Sequence, residues 1–304
     1  MAEETKHKEK EGPTRVLWPT LAFPGTAWLI ALFVIPFYGI MAVAFSSQLN
    51  SLRQPIPVWN PLHWNFAVFT KVIQESLGGF YQAAWVHTFV YTFFAMTICV
   101  LVGYPVAYYV ARLAGRRRGL LLALILLPWW INYLTRMLAW VGLLDTNGYV
   151  NNILGIFGAP QVEWLGGRAS VVIIGLAYGY LPFFIIPLYA SLDRIDQRHI
   201  EASRDLGVGS VRTFFHVTLP LSRIGLITAM VITALPMFGD YYTNTLLSNS
   251  PTTTMVGNSI EKTLQSGFSR AQGASLVLLL SAVLLVFMAY YLIITQRASK
   301  EAAR

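Results

Sequence analysis

Six stretches of this chain are long and apolar enough to cross a bilayer: residues 21–45, 85–111, 120–144, 170–192, 224–247 and 274–295. A spanning helix needs about 20 mostly apolar residues. Four of the six contain no Asp, Glu, Lys or Arg, while the third carries Arg136 and the fifth Asp240. Charged residues make up 12% of the whole chain, against about 25% in ordinary soluble domains. Lipid explains the deficit, because a charge at the bilayer centre costs about 3 kcal/mol or more. The pattern predicts an all-α, polytopic membrane protein with six transmembrane helices.

Basic residues fall between the apolar runs, so the net charge of +8 reads as topology rather than nucleic-acid binding. Sixteen Lys and Arg lie before the first run, between the second and third, between the fourth and fifth, and after the sixth. Only five lie in the other loops. The positive-inside rule then predicts a cytoplasmic tail over 1–17, a membrane domain over 18–296 and a second cytoplasmic tail over 297–304. The outer loops are 46–84, 145–169 and 248–273, where Trp59, Trp64 and Trp164 suit an interfacial or structural role. Prolines inside the runs (Pro24, Pro36, Pro105, Pro128, Pro182, Pro187 and Pro236) are tolerable where neighbouring helices satisfy the freed carbonyls.

The inner loop over 193–220 carries the most distinctive pattern. Asp196 can cap a short helix formed by good helix formers from Gln197 to Leu206. Gly207 suits the left-handed position that ends such a helix. Ser210 can cap a second helix, and Pro220 opens the fifth span, where a missing amide hydrogen costs little. This predicts a short, rigid bend at the cytoplasmic face.

The loop resembles the signature of ABC importer permeases: Glu-Ala-Ala, three residues, Gly, nine residues, Ile, one residue, Leu-Pro. Glu201, Ala202, Gly207, Leu219 and Pro220 match at that spacing, with Ser203 and Val217 as conservative replacements. The resemblance reaches further. Gly103-Tyr104-Pro105, Leu127-Pro128-Trp129-Trp130 with Arg136, residues 147–152, and Leu181-Pro182-Phe183-Phe184 look like spermidine/putrescine-type permeases. Permeases for iron, thiamine or phosphonates share parts of these motifs.

This resemblance implies the type I ABC importer permease fold in a bacterial inner membrane, with Glu201, Ala202, Ser203, Gly207, Leu219 and Pro220 forming an ATPase-coupling element. It implies partners: an ABC ATPase dimer holding ATP-Mg, a second homologous permease, an extracytoplasmic solute-binding protein, and the lipid bilayer. The chain itself is expected to be no enzyme and to hold no cofactor. No Gly-Lys pair exists for a Walker A loop, and no hydrolytic constellation is visible. The single Cys99 excludes an internal disulfide and a Cys-based metal site, and the five histidines lack ligand spacing.

Asp240 is the one acidic residue inside an apolar run, and such residues are functional candidates. Tyr241 and Tyr242 follow it, and a carboxylate beside aromatic rings suits an organic polycation in a substrate pathway. Counted from the inner end of their spans, Asp240 and Arg136 lie at a similar depth of about 24 Å. A buried ion pair between them and a substrate contact by Asp240 are both compatible with that depth. A secondary transporter driven by an ion gradient is the competing class. It would show several intramembrane ionisable groups or an inverted repeat, and neither is evident.

Overall fold

A computed structural model describes residues 14–46, 54–248, 250–267 and 269–302. Among them the long helices are α1 (Thr14–Ala44), α3 (Gln82–Arg112), α7 (Ala169–Asp193), α10 (Leu219–Phe238) and α13 (Arg270–Ala302). Shorter helices lie between: α2 (Ala67–Gly78), α4 (Arg118–Leu126), α5 (Tyr133–Leu144), α6 (Tyr149–Ile156), α8 (Gln197–Asp205), α9 (Ser210–Thr213), α11 (Tyr242–Leu247) and α12 (Val256–Gln265). Five helical stretches are long and apolar enough to cross a membrane, and α4 with α5 makes a sixth if the bent pair is one span. Of the expected amino-terminal tail, residues 1–13 lie outside the described residues, and Thr14 already belongs to α1.

Two expected spans are not continuous. The third, 120–144, breaks into α4 and α5, which meet at 87°. A tight 3-10 turn over Leu127–Trp130 carries Pro128 in its first residues. Ile131 and Asn132 are then extended, and Asn132 restarts the helix by accepting from the Leu134 amide at 2.8 Å. The Pro128 ring removes an amide donor, and the Asn132 side chain offers the backbone a new start. The fifth span begins earlier than 224 and ends at Phe238. Gly239, Asp240 and Tyr241 separate α10 from α11. Asp240 therefore sits at a helix break, not within a helix. By contrast Pro105, Pro182 and Pro187 are accommodated inside unbroken α3 and α7.

The centre of the bundle is the pair α3 and α7, with α10 against both. Between lipid-exposed helices there is no hydrophobic driving force, so close packing by small residues carries the association. Gly103 of α3 faces Phe184 of α7, where an added Cβ would stand 2.6 Å from the ring. Gly225 of α10 likewise lies against Ser191 of α7, and an added Cβ would collide with its hydroxyl. Phe184, Leu188, Leu176, Ala95 and Cys99 are wholly buried around this seam. A hydrogen bond of 2.7 Å between the Tyr104 and Ser222 hydroxyls ties α3 to α10 inside the core.

Trp59, Trp64 and Trp164 make structural contacts. Trp64 donates to the Val58 carbonyl at 2.8 Å, and Trp59 packs on Tyr38. Trp164 donates to Asn151 at 3.0 Å. Asn151 is buried and also donates to the carbonyls of Thr146 and Val162, which ties α6 to the chain on either side of it.

Candidate functional site

Two places merit attention: the loop between α7 and α10, and the carboxylate of Asp240. In the loop, Asp196 caps α8 by accepting from the Arg198 amide at 3.0 Å. The helix ends at Leu206, and Gly207 follows with φ +77°. Its amide donates to the Arg204 carbonyl at 2.8 Å, and Val208 donates to Ser203 at 3.2 Å, so the last carbonyls of α8 are satisfied by the reversal. Gly209, not Ser210, is the capping residue of α9, and Ser210 is its first helical residue. The hydroxyls of Ser203 and Thr213 meet at 3.0 Å and lock α8 against α9.

From α9 the chain runs through a π turn over Phe214–Thr218 straight into α10, whose first residues are Leu219 and Pro220. Phe214 packs edge-on against Tyr104 and Tyr108 of α3. Glu201, Ala202 and Gly207 are exposed, as are the apolar side chains of Leu206, Val211 and Phe215. Ser203 and Leu219 are half-buried and Pro220 is exposed. The loop is thus a rigid element with a mixed charged and apolar outer face. Its root is held by Arg112 at the end of α3, which donates to the Leu192 and Ile195 carbonyls at 2.5 and 2.6 Å.

Asp240 is 6% exposed. Its Oδ2 accepts from Tyr133 Oη of α5 at 3.0 Å, from Tyr180 Oη of α7 at 2.9 Å and from Thr243 Oγ1 at 2.6 Å. Its Oδ1 accepts from the Thr243 amide at 2.9 Å. The carboxylate therefore joins three elements and starts α11. Gly179 allows this, because an added Cβ there would stand 2.8 Å from the Tyr133 ring. Gly257 of α12 passes close under the Asp240 carbonyl in the same way.

An ion pair between Asp240 and Arg136, one of the two readings their depth allows, is not formed among the described residues. Tyr133 stands between them: its hydroxyl serves Asp240 while the Arg136 guanidinium lies over its ring, 5.2 Å from the centroid. Tyr241 and Tyr242 stack on each other at 4.1 Å beside the break, and Tyr242 is exposed. A cavity of about 250 Å³ opens at the broken span, lined by Trp129, Tyr133, Arg136, Tyr180 and Phe183. Asp240 lies behind its two tyrosines rather than on its wall. Tyr133, Tyr180 and Thr243 escaped the sequence reading. The available signal was that a tyrosine in an apolar span must find a partner for its hydroxyl. Among the described residues no group of three His, Cys, Asp or Glu could hold a metal ion.

Comparison with known proteins agrees with this architecture. The chain is 33% identical over 271 residues to the Haemophilus influenzae protein named spermidine/putrescine transport system permease protein PotB, covering 87% of this chain and 90% of that one. It is 30% identical over 273 residues to the protein of the same name from Escherichia coli, covering 86% and 92%. Its fold is similar to a chain in the crystal structure of a bacterial alginate ABC transporter in complex with an alginate pentasaccharide-bound periplasmic protein. There the TM-score is 0.71 at 18% identity, over 94% of this chain and 96% of that one. A chain of the MetNI methionine ABC transporter is also similar, with a TM-score of 0.53 at 20% identity, over 69% and 92%. Residues 103–300 match the family described as binding-protein-dependent transport system inner membrane component. This chain therefore belongs to that family, as a multi-pass inner membrane permease subunit of an ABC importer.

Proposed function

We propose that this permease carries a polyamine such as spermidine or putrescine into the cell, with both termini in the cytoplasm. The similarity to spermidine/putrescine permeases along nearly the whole of both chains carries the reading. The site supports it chemically. Tyr133 and Tyr180 give their protons to Asp240; the Tyr180 oxygen keeps lone pairs and its ring gains electron density for an incoming ammonium group, while the Arg136 guanidinium covers the Tyr133 ring. Asp240 thus acts through the two phenols, and Tyr241 and Tyr242 stand at the same break for the next step of transit.

In this reading a solute-binding protein delivers the polyamine to the outer loops. A second homologous permease closes the other half of the path. A pair of ATPase subunits holding ATP-Mg docks on the loop around α8 through Glu201, Ala202, Ser203, Gly207, Leu219 and Pro220. Closure of the ATPase pair moves this rigid loop. Because α9, the π turn and α10 are continuous, the motion reaches the Asp240 break at the far end of α10, about 30 Å away for its 20 residues.

Reconstitution in vesicles with the partner subunits tests the proposal. Labelled spermidine should accumulate only when ATP is hydrolysed, and putrescine should compete while thiamine and phosphonates do not. A complex that hydrolyses ATP in response to one of those other solutes, and moves no polyamine, would overturn it.

A further inference from the structure

Arg136 is the unresolved charge of this fold. It is 7% exposed, its Nε is buried with no hydrogen-bond partner, and among the described residues no carboxylate forms an ion pair with it. Its contact with the Tyr133 ring is an attraction to a π face, not a counter-charge. Asp240, the one acidic residue in an apolar run, is committed to two tyrosines and Thr243. Arg136 also lies in the first turn of the twelve-residue α5, at the positive end of the helix dipole. The helix end and the side chain both favour an anion, and the side chain lines the cavity at the broken span.

The break makes a second, independent demand. Residues 128–132 depart from the α-helix within an apolar run that would otherwise cross the membrane. Non-helical backbone at membrane depth is tolerated only where protein or an aqueous path covers it. The flanking side chains are bare in the isolated chain, with Trp130 90% exposed and Leu127 61% exposed.

We propose that a carboxylate side chain of the second permease subunit enters this cavity and pairs with Arg136, so that the broken span is a subunit contact. The inference rests on the reading that this chain works beside a second permease. A polyamine cannot supply the missing charge, since it carries the same sign as Arg136. A passing substrate would also leave the guanidinium stranded between cycles, whereas a buried charge needs its partner throughout. The ATPase and the binding protein act from the membrane surfaces, and lipid phosphates lie outside the apolar run. Only another membrane-embedded chain reaches the cavity from within the bilayer.

Co-expression of this chain with the second permease and the ATPase tests the contact. Arg136→Glu should lower recovery of the second permease by about 30-fold or more, the effect of breaking a buried charge pair. Arg136→Gln, recovered alone in detergent at the wild-type elution volume, shows that the chain still folds. Each carboxylate in the partner's spans is then changed to Arg, and one of these changes should restore assembly with Arg136→Glu. Normal assembly of Arg136→Glu overturns the proposal, as does failure of every partner change to restore it. If Arg136→Gln assembles normally and loses uptake only of amines that also bear a carboxylate, the anion belongs to the substrate and the proposal falls. Wild-type assembly without spermidine transport would refute the polyamine reading alone, because recovery of the partner is measured without substrate. Failure of the wild-type chains to assemble would refute the paired permease and this contact together.

Discussion

Tyr180 of α7 donates its phenolic proton to Asp240 at 2.9 Å, across the gap between the most buried helix of the bundle and the break that follows α10. The bond joins the rigid centre of the molecule to one of the two segments in which an expected span is broken. Tyr133 makes the matching bond from the other side, so the carboxylate is held by two different spans at once.

Removing one donor at a time should therefore loosen α11 and the break before it. Tyr180→Phe keeps the ring and deletes the hydroxyl, at an expected cost of about 1.5–3 kcal/mol for a hydrogen bond to a charged group. A lowered unfolding temperature in detergent, with spermidine uptake reduced more than membrane insertion, is the expected result. Unchanged thermal stability would show that the bond contributes nothing.

Asp240→Asn should reduce polyamine uptake strongly while the protein still inserts. Arg136→Gln should not restore it, because Tyr133 separates the two charges and no direct pair exists to rebalance. Recovery of full transport in the double mutant, measured in the same vesicles, would contradict the geometry.

Gly207 tests the loop through its backbone alone. Its φ is +77°, and an added Cβ would meet nothing within 4 Å. Gly207→Ala should then cost only the left-handed strain of about 1–2 kcal/mol, leaving uptake partly intact. Gly207→Pro, whose ring forbids positive φ, should abolish both uptake and co-purification of the ATPase. Equal behaviour of the two variants would show that the bend is not what couples.

The α3–α7 seam predicts a steric outcome. Gly103→Ala places a methyl group 2.6 Å from the Phe184 ring, and overpacking of this kind costs about 1–3 kcal/mol. Phe184→Leu in the same chain should recover part of the lost thermal stability. No recovery would mean that the helices, rather than the ring, have moved.

Sidedness can be read chemically in a Cys99→Ala background. A cysteine at exposed Arg204 should react with impermeant reagents only from the cytoplasm, and one at exposed Leu62 only from outside. Reversed labelling would invert the proposed topology.

The loop around α8 was legible because its signals are local. Asp196 sits one residue before its helix, and Gly207 sits where only a positive φ closes the turn. The apolar runs also announced the long helices. The two breaks were less visible, because Pro128 interrupts its helix whereas Pro105, Pro182 and Pro187 do not. What decides is whether a neighbour or a cap satisfies the freed groups, and that is tertiary information. The surroundings of Asp240 were out of reach for the same reason. Depth along a span placed Arg136 beside it, but which face each side chain takes depends on the bend between α4 and α5. The tyrosines that claim the carboxylate lie 107 and 60 residues away in the chain.

The π turn over Phe214–Thr218 has a consequence for the loop it follows. A π turn winds one residue more into its length than an α turn does. It is slack in a wound spring, placed where the loop becomes the span. Drawn into α-helical winding, that residue would rotate all of α10 by about 100° and advance it by about 1.5 Å, with the loop itself standing still. The fixed interval from Gly207 to Pro220 then sets a phase as well as a distance. It determines which side of α10 faces its neighbours in this winding, and a change of winding would turn a different side toward them.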